Sequence, residues 1–331
     1  MLKTCSALAS VWLACAGLGF NAAAASNNIS FADSPYIVDV WKTGPEEQKL
    51  PQSVVTSMVQ SKDGYLWLGT LNGLVRFDGI RFAVFDEANL PGLTSRRIVH
   101  LFEDSRTNLW VGTEEAGIAV IKRDGSVQSL GIGPDGGAGP LVAASEDANG
   151  VIWLNTADGR VARCQHNKVE LLSGRARPVI TEWDGPVWLA MAPHLVGILA
   201  VSNAAAFVVQ QDLPVAKVDF LLPSRTGGFW RLADGRVQKW VASKAVSDWG
   251  AYPWGNAPVN AACEDREGNL IVGTQDAGVY WYDAEGKATP ITSAQGLSHN
   301  TALSLCVGRE GDSNCCQTRS HRSDCSRALT R

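Results

Sequence analysis

What this sequence lacks narrows it first. Charge of one sign is not in excess: 29 Lys and Arg face 33 Asp and Glu, a net charge of −4 over 331 residues. With no basic stripe before the tail, that balance argues against nucleic acid as the main partner. Past the N-terminus no apolar run approaches the ~20 residues that a membrane-crossing helix needs. Gly-x-Ser-x-Gly elbows, phosphate-binding Gly-Lys-Ser/Thr loops and His-Glu-x-x-His pairs are all missing, so the commonest hydrolase, nucleotide and zinc-protease signatures drop out. His100, His166, His194 and His299 stand singly and the eight cysteines lack zinc-ligand spacing. Neither a metal nor a cofactor is expected.

The N-terminus is the exception to the scarcity of apolar runs. Lys3, an apolar stretch from Ala7 to Phe20 and Ala22–Ala25 before Ser26 have the order of an export signal, so residues 1–25 are expected to be removed. A lipoprotein signal ending at Cys15 is the competing reading, although Trp12-Leu-Ala-Cys15 is a poor lipobox. The mature chain is then expected in the periplasm, with no membrane span after signal removal. Cys263 and Cys306 occupy one repeat position on adjacent units, farther apart than the ~7 Å Cα limit for a disulfide. With Cys164 they read as small buried hydrophobes.

A short phrase recurs down the chain: Gly64-Tyr-Leu-Trp-Leu-Gly-Thr70, Asn108–Thr113, Gly150–Thr156 and Gly268–Thr274, with weaker copies at Gly185–Ala190 and Gly227–Ala233. Its anchors Trp67, Trp110, Trp153, Trp188, Trp230 and Ile271 are 43, 43, 35, 42 and 41 residues apart. That period, with four strand-like runs per unit, predicts an all-β fold: a β-propeller of four-stranded antiparallel blades, six clear repeats and an incomplete seventh, over residues 26–311. The second strand of each unit is apolar on consecutive residues, as in a sheet covered on both faces. The indoles are expected to fill the gaps between blades. Gly64, Gly150, Gly185, Gly227 and Gly268, each three residues before an anchor, are expected to take positive φ in a two-residue hairpin.

Leu50-Pro-Gln, Val54 and Gln60–Gly79 closely resemble the opening repeat of the two-component regulator propeller family, and the resemblance runs from Tyr36 to Gly311. It implies a bacterial periplasmic sensor domain. In full-length relatives two propellers and a small β-sandwich precede a membrane helix and a histidine kinase or diguanylate cyclase, and carbohydrate-derived ligands are common. No kinase or cyclase motif is present in this sequence, so the reading is a sensor cut off from its output and not signalling by itself.

Cys263–Gly268 and Cys306–Gly311 are in register, but Asp312–Gln317 do not continue the repeat. A frameshift near Gly311–Asp312 is the expectation, with residues 312–331 a polar, disordered tail; a natural polar tail is the alternative. Tyr36–Trp41 resembles an outer strand and is expected to complete the last blade. Closure with six or seven blades stays open.

In a propeller the loops joining second to third strands share one face with those joining successive blades. The first set holds Asn72, Glu114, Glu115, Asp158, His194, Asp234, Gln275 and Asp276, a mild acidic bias suited to hydroxyl-rich or cationic ligands. The second holds Asp248–Trp254, whose Trp249, Tyr252 and Trp254 are placed to stack on a sugar ring. Turn chemistry and packing across the blade boundary are the plainer explanations of the two sets. A small-molecule or carbohydrate ligand is the expected partner, with no catalytic residue. The alternatives are a carbohydrate-active propeller enzyme using Asp158 and Asp234 as a carboxylate pair, or a protein-binding scaffold.

Overall fold

A computed structural model describes residues 36–42, 50, 54–132, 139–175, 179–181, 187–191, 194–198, 209–308, 313–317 and 324–330. The expected signal segment 1–25 lies outside them, as does Gly185. Six sheets of four antiparallel strands follow one another along the chain. Blade 1 comprises Val55–Gln60, Leu66–Thr70, Gly73–Phe77 and Phe82–Phe85. Blades 2 and 3 run from Ile98 to Leu130 and from Leu141 to Arg175. Blades 4, 5 and 6 span 179–214, 218–251 and 259–291. The inner strand Ala302–Val307 packs against the inner strands of both blade 6 and blade 1 and so closes the ring. No helix among the described residues is long and apolar enough to cross a membrane.

The core is divided among the blade boundaries. Among the described residues the buried apolar side chains form seven clusters, one for each gap between successive inner strands. Trp110, Trp153, Trp188 and Trp230 are buried in four of these gaps, and Trp67 is half-buried in a fifth. This is the wedge that the spacing predicts. Cys164, Cys263 and Cys306 are buried in three different clusters, and burial pushes the Cys164 thiol up to about 11.

Local chemistry explains the repeated phrase residue by residue. Ser61 N donates to Tyr65 O and Gly64 N to Ser61 O, each at 2.9 Å. The turn is therefore a three-residue loop ending in a left-handed residue, not the expected two-residue hairpin. Gly64, Gly150, Gly227 and Gly268 take φ of 96°, 74°, 94° and 87° there, while blade 2 forces Thr107 to 67°. The Gly of Gly-Thr has another reason. A Cβ on Gly69, Gly112 or Gly273 would lie 2.9, 2.7 or 2.9 Å from the first residue of the next inner strand. The Thr hydroxyls of Thr70, Thr113 and Thr274 close the following loop by donating to the carbonyls of Gly73, Gly117 and Gly278 at 2.8, 2.8 and 2.7 Å.

A Glu-Asp pair, unread in the sequence, ties the turns. Asp104 Oδ2 and Asp147 Oδ2 accept the indole N–H of Trp110 and Trp153 at 3.0 and 2.9 Å. The preceding glutamate reaches the turn one blade back: Glu103 accepts from Lys62 N at 2.9 Å, Glu146 from Ser105 N at 2.5 Å and Glu264 from Arg225 N at 2.6 Å. Six inner strands also slip register at the same place, just after their first residue. The displaced residues Thr56 and Asn260 donate to Ile98 O and Ala302 O of the next unit at 2.8 and 3.3 Å. A repeated bulge of this kind re-aims one side chain per blade.

The seventh position differs from the expectation of a disordered tail. Ser313–Gln317 pairs with Ala302–Val307, and Tyr36–Lys42 pairs with Asp324–Thr330. Those two added strands lie against each other. Strand pairing is satisfied by backbone N–H and C=O groups, so it does not require the Leu-Trp-x-Gly-Thr side chains. The N-terminal strand is present, and its partner comes from the tail.

Candidate functional site

Most of the eight residues singled out in the sequence have polar partners close to them in the chain or across one loop. Glu114 is held by Arg97 in its own blade. Asp158 accepts from Thr156 Oγ1 at 2.5 Å and Arg160 Nε at 2.6 Å, which hold its carboxyl down at about 2. His194 Nδ1 lies 2.8 Å from Asp212 Oδ1 at an exposed site. Asp276 accepts from Thr301 Oγ1 at 2.5 Å across the blade 6 loop. Asp158 and Asp234 sit in blades 3 and 5, each bound to an arginine of its own blade. A carboxyl with a pKa of about 2 carries no proton at neutral pH, so Asp158 would not serve as a general acid.

The three aromatic side chains are not a free rim. Asp248–Ala251 form the end of the outer strand Lys244–Ala251 instead of a loop. Trp249 lies 4.4 Å from Trp230 and 5.3 Å from Tyr282 between ring centroids, and Trp254 is 7% exposed. Tyr252 stacks on Trp254 at 4.6 Å. The apolar gap between blades 5 and 6 attracts these rings because each buries more area there than in solvent. Tyr252 adds a polar handle, its hydroxyl, which finds a carboxylate partner.

That handle joins a hydrogen-bonded network across the loop face of blade 5. Tyr252 Oη donates to Asp219 Oδ2 at 3.0 Å, and Lys217 Nζ reaches Asp219 Oδ1 at 2.6 Å. Asp234 accepts the N–H groups of Ala216 and Lys217 at 3.0 and 2.8 Å, and binds Arg231 Nη2 at 2.7 Å. Arg231 Nη1 donates to Gln238 at 2.6 Å, Gln238 to Asp248 at 2.9 Å, and Arg236 Nη2 to Asp248 at 2.9 Å. Burial, then the Asp219 carboxylate, push the Tyr252 hydroxyl well above its ordinary value. It remains a neutral donor.

Arg231 is the residue the sequence reading missed. Its place in the second strand is held by Leu68, Val111, Leu154, Leu189 and Val272 in other blades, yet it is 6% exposed. Its Nε is buried without a partner. A charge at an aliphatic repeat position was the available signal. The network presents three acids and three bases with exposed edges at Lys217, Asp234, Arg236 and Asp248. Fixed donors and acceptors of both kinds suit a hydroxylated ligand better than a single charge. Among the described residues no three His, Cys, Asp or Glu side chains gather as a metal site.

Comparison with known proteins fits this architecture. Residues 49–72 and 92–115, which include the opening strands of blades 1 and 2, match the family model of the two component regulator propeller. The fold resembles the extracellular domain of BT3049 from B. thetaiotaomicron, described as a hybrid two component system (TM-score 0.68, 16% identity, 88% of this chain and 43% of that one). It also resembles the extracellular domain of BT4673 from the same organism, described as a one component system (0.66, 18%, 88% and 39%). The chain thus spans less than half the length of either. Virginiamycin B lyase from Staphylococcus aureus has the same fold at TM-score 0.64 and 12% identity, covering 89% of this chain and 99% of that one. Comparison with curated protein sequences gives no match.

Proposed function

We propose that this chain is the ligand-sensing propeller of an exported two-component-type signalling protein, and that the loop face of blade 5 receives the ligand. The observation that carries the reading is the pair of regulator-propeller repeats at 49–72 and 92–115. Its fold likeness to extracellular domains supports a place outside the cytoplasm, in keeping with the export signal expected from the sequence of residues 1–25. The ligand class is hydroxyl-rich, most simply a carbohydrate, since Asp234, Arg236, Asp248 and Lys217 offer fixed donors and acceptors at one surface.

Asp158, ionised at neutral pH by its Thr156 and Arg160 contacts, would not serve as a general acid, which favours binding over turnover. A glycan array probed with the purified chain tests this. Selective binding is expected, falling at least tenfold in Arg236→Ala and Asp248→Ala, with the bound glycan recovered unchanged. An array with no selective signal would sink the reading, and cleaved glycan would turn it into an enzyme.

A further inference from the structure

On the face opposite that network, a cleft of about 50 Å³ opens between blades 2 and 3. Its floor is Trp110, Val120, Ile152 and Cys164, all buried. Three turns meet at its mouth. The turn between the first two strands of blade 2 contributes Arg106, the end of that blade's third strand Lys122, and the turn between the last two strands of blade 3 His166. His166 and Asn167 have φ of 51° and 62°, the paired left-handed turn that projects side chains from a hairpin end.

Two carboxylates also line the cleft, and both are turned into protein donors. Asp104 accepts from the N–H groups of Arg106 and Asn108, the Asn108 amide and the Trp110 indole, at 3.0, 2.8, 2.8 and 3.0 Å. Glu146 accepts from Ser105 N and Oγ at 2.5 and 2.7 Å. The guanidinium of Arg106 and the ammonium of Lys122 have no carboxylate within ion-pair distance among the described residues. All of those donors are neutral, so both carboxylates keep their charge, but their oxygens are occupied; the hydrogen-bonding groups left open at this mouth are the side-chain donors of Arg106 and Lys122. A water needs ~10–15 Å³ of such space, so the cleft holds about four waters, or one oxyanion group.

We propose that this cleft is a second ligand site, separate from blade 5, that binds a small oxyanion through Arg106 and Lys122 with His166 and Asn167 as further polar contacts. A guanidinium and an ammonium over an apolar floor match a phosphate or a carboxylate in charge and donor geometry. The two sources share this chemistry and differ in what is attached to it.

The test uses the full chain with inorganic phosphate as probe, by titration calorimetry and by thermal unfolding against chloride at equal ionic strength. Phosphate is expected to bind and raise Tm. Arg106→Ala with Lys122→Ala should weaken binding tenfold or more, as should Arg106→Gln with Lys122→Gln, while Arg123→Ala on the neighbouring turn should leave it unchanged. Sodium glucuronate run in parallel separates the sources: binding of glucuronate but not phosphate, lost in the same variants, assigns a sugar acid. Equal unfolding in phosphate and chloride with no glucuronate binding, or binding that survives both double variants, overturns the proposal. Neutral glycans read out the blade 5 site, so either site can fail without the other.

Discussion

The boundary between blades 5 and 6 and the boundary between blade 6 and Ala302–Val307 solve one packing problem in two ways. At the first, Trp230 donates to Glu264 at 3.0 Å, and the same carboxylate takes Ser224 Oγ and Arg225 N at 2.9 and 2.6 Å. Trp249, Tyr252, Trp254, Tyr280 and Tyr282 fill the rest. At the second, the anchor is Ile271 and the latch position holds Val307. There the large ring is Trp281, the cross-strand partner of Ile271, and its Nε1 is buried without a partner. The indole has moved one strand outward, away from its acceptor. Blade position is thus held at the first boundary by rings tied to a carboxylate, and at the second by close backbone approach at Gly273 with Asn260 and Asp276 bonded to Ala302 O and Thr301.

Breaking the aromatic boundary should have the largest effect. Trp254→Ala removes a buried ring that stacks on Tyr252 and also contacts Tyr280 and Tyr282, and should cost about 3–5 kcal/mol in denaturant unfolding. Removing the latch comes next: Glu264→Ala orphans three donors and should cost about 3 kcal/mol, whereas Val307→Ala at the next boundary should cost about 1 kcal/mol.

A third test asks whether boundaries respond to acid. His100, on the inner strand of blade 2, has Nε2 buried without a partner, and burial pushes its pKa from 6.5 down to about 4. The unfolded chain then binds the extra proton first. His100 thus adds to stability above pH ~6.5 relative to acid, and that part is lost as pH falls toward 4, about 3 kcal/mol in all. His100→Ser, the residue found at the matching positions Ser57 and Ser304, should flatten the dependence between pH 4 and 6.5. An unchanged pH profile would place the imidazole in water.

The exchange of ring positions gives a smaller, sharper effect. Ile271→Trp and Trp281→Val should each destabilise by about 1–3 kcal/mol. The double variant should recover about 1–2 kcal/mol of their sum, because Asp265 already stands where Asp104 receives the Trp110 indole. Strict additivity would mean that the two sites do not exchange. Smallest is Thr107→Gly. It relieves a β-branched residue at φ 67° and should add about 1 kcal/mol to stability.

The strands were legible because their cues are local. Trp67, Trp110 and Trp153 each sit among consecutive apolar residues and follow a turn at a fixed offset, and each of these takes the expected place in a second strand. The candidate site was not legible in the same way. Trp249, Tyr252 and Trp254 look like a rim in sequence, but their environment is set by Trp230, Tyr280 and Tyr282, tens of residues away. Arg231 was visible only as a break in the aliphatic pattern, and its partners Asp234 and Gln238 only in space.

By itself the sequence determined the repeat, the four-stranded unit and the indole wedge, since period and alternation are properties of neighbouring residues. The tertiary structure alone decided which carboxylate each indole meets, that Glu103, Glu146 and Glu264 reach one blade back, and that tail strands sit at the seventh position. The glutamate contacts that reach one blade back join residues about forty positions apart, and no local pattern carries a distance set by the closing of a ring.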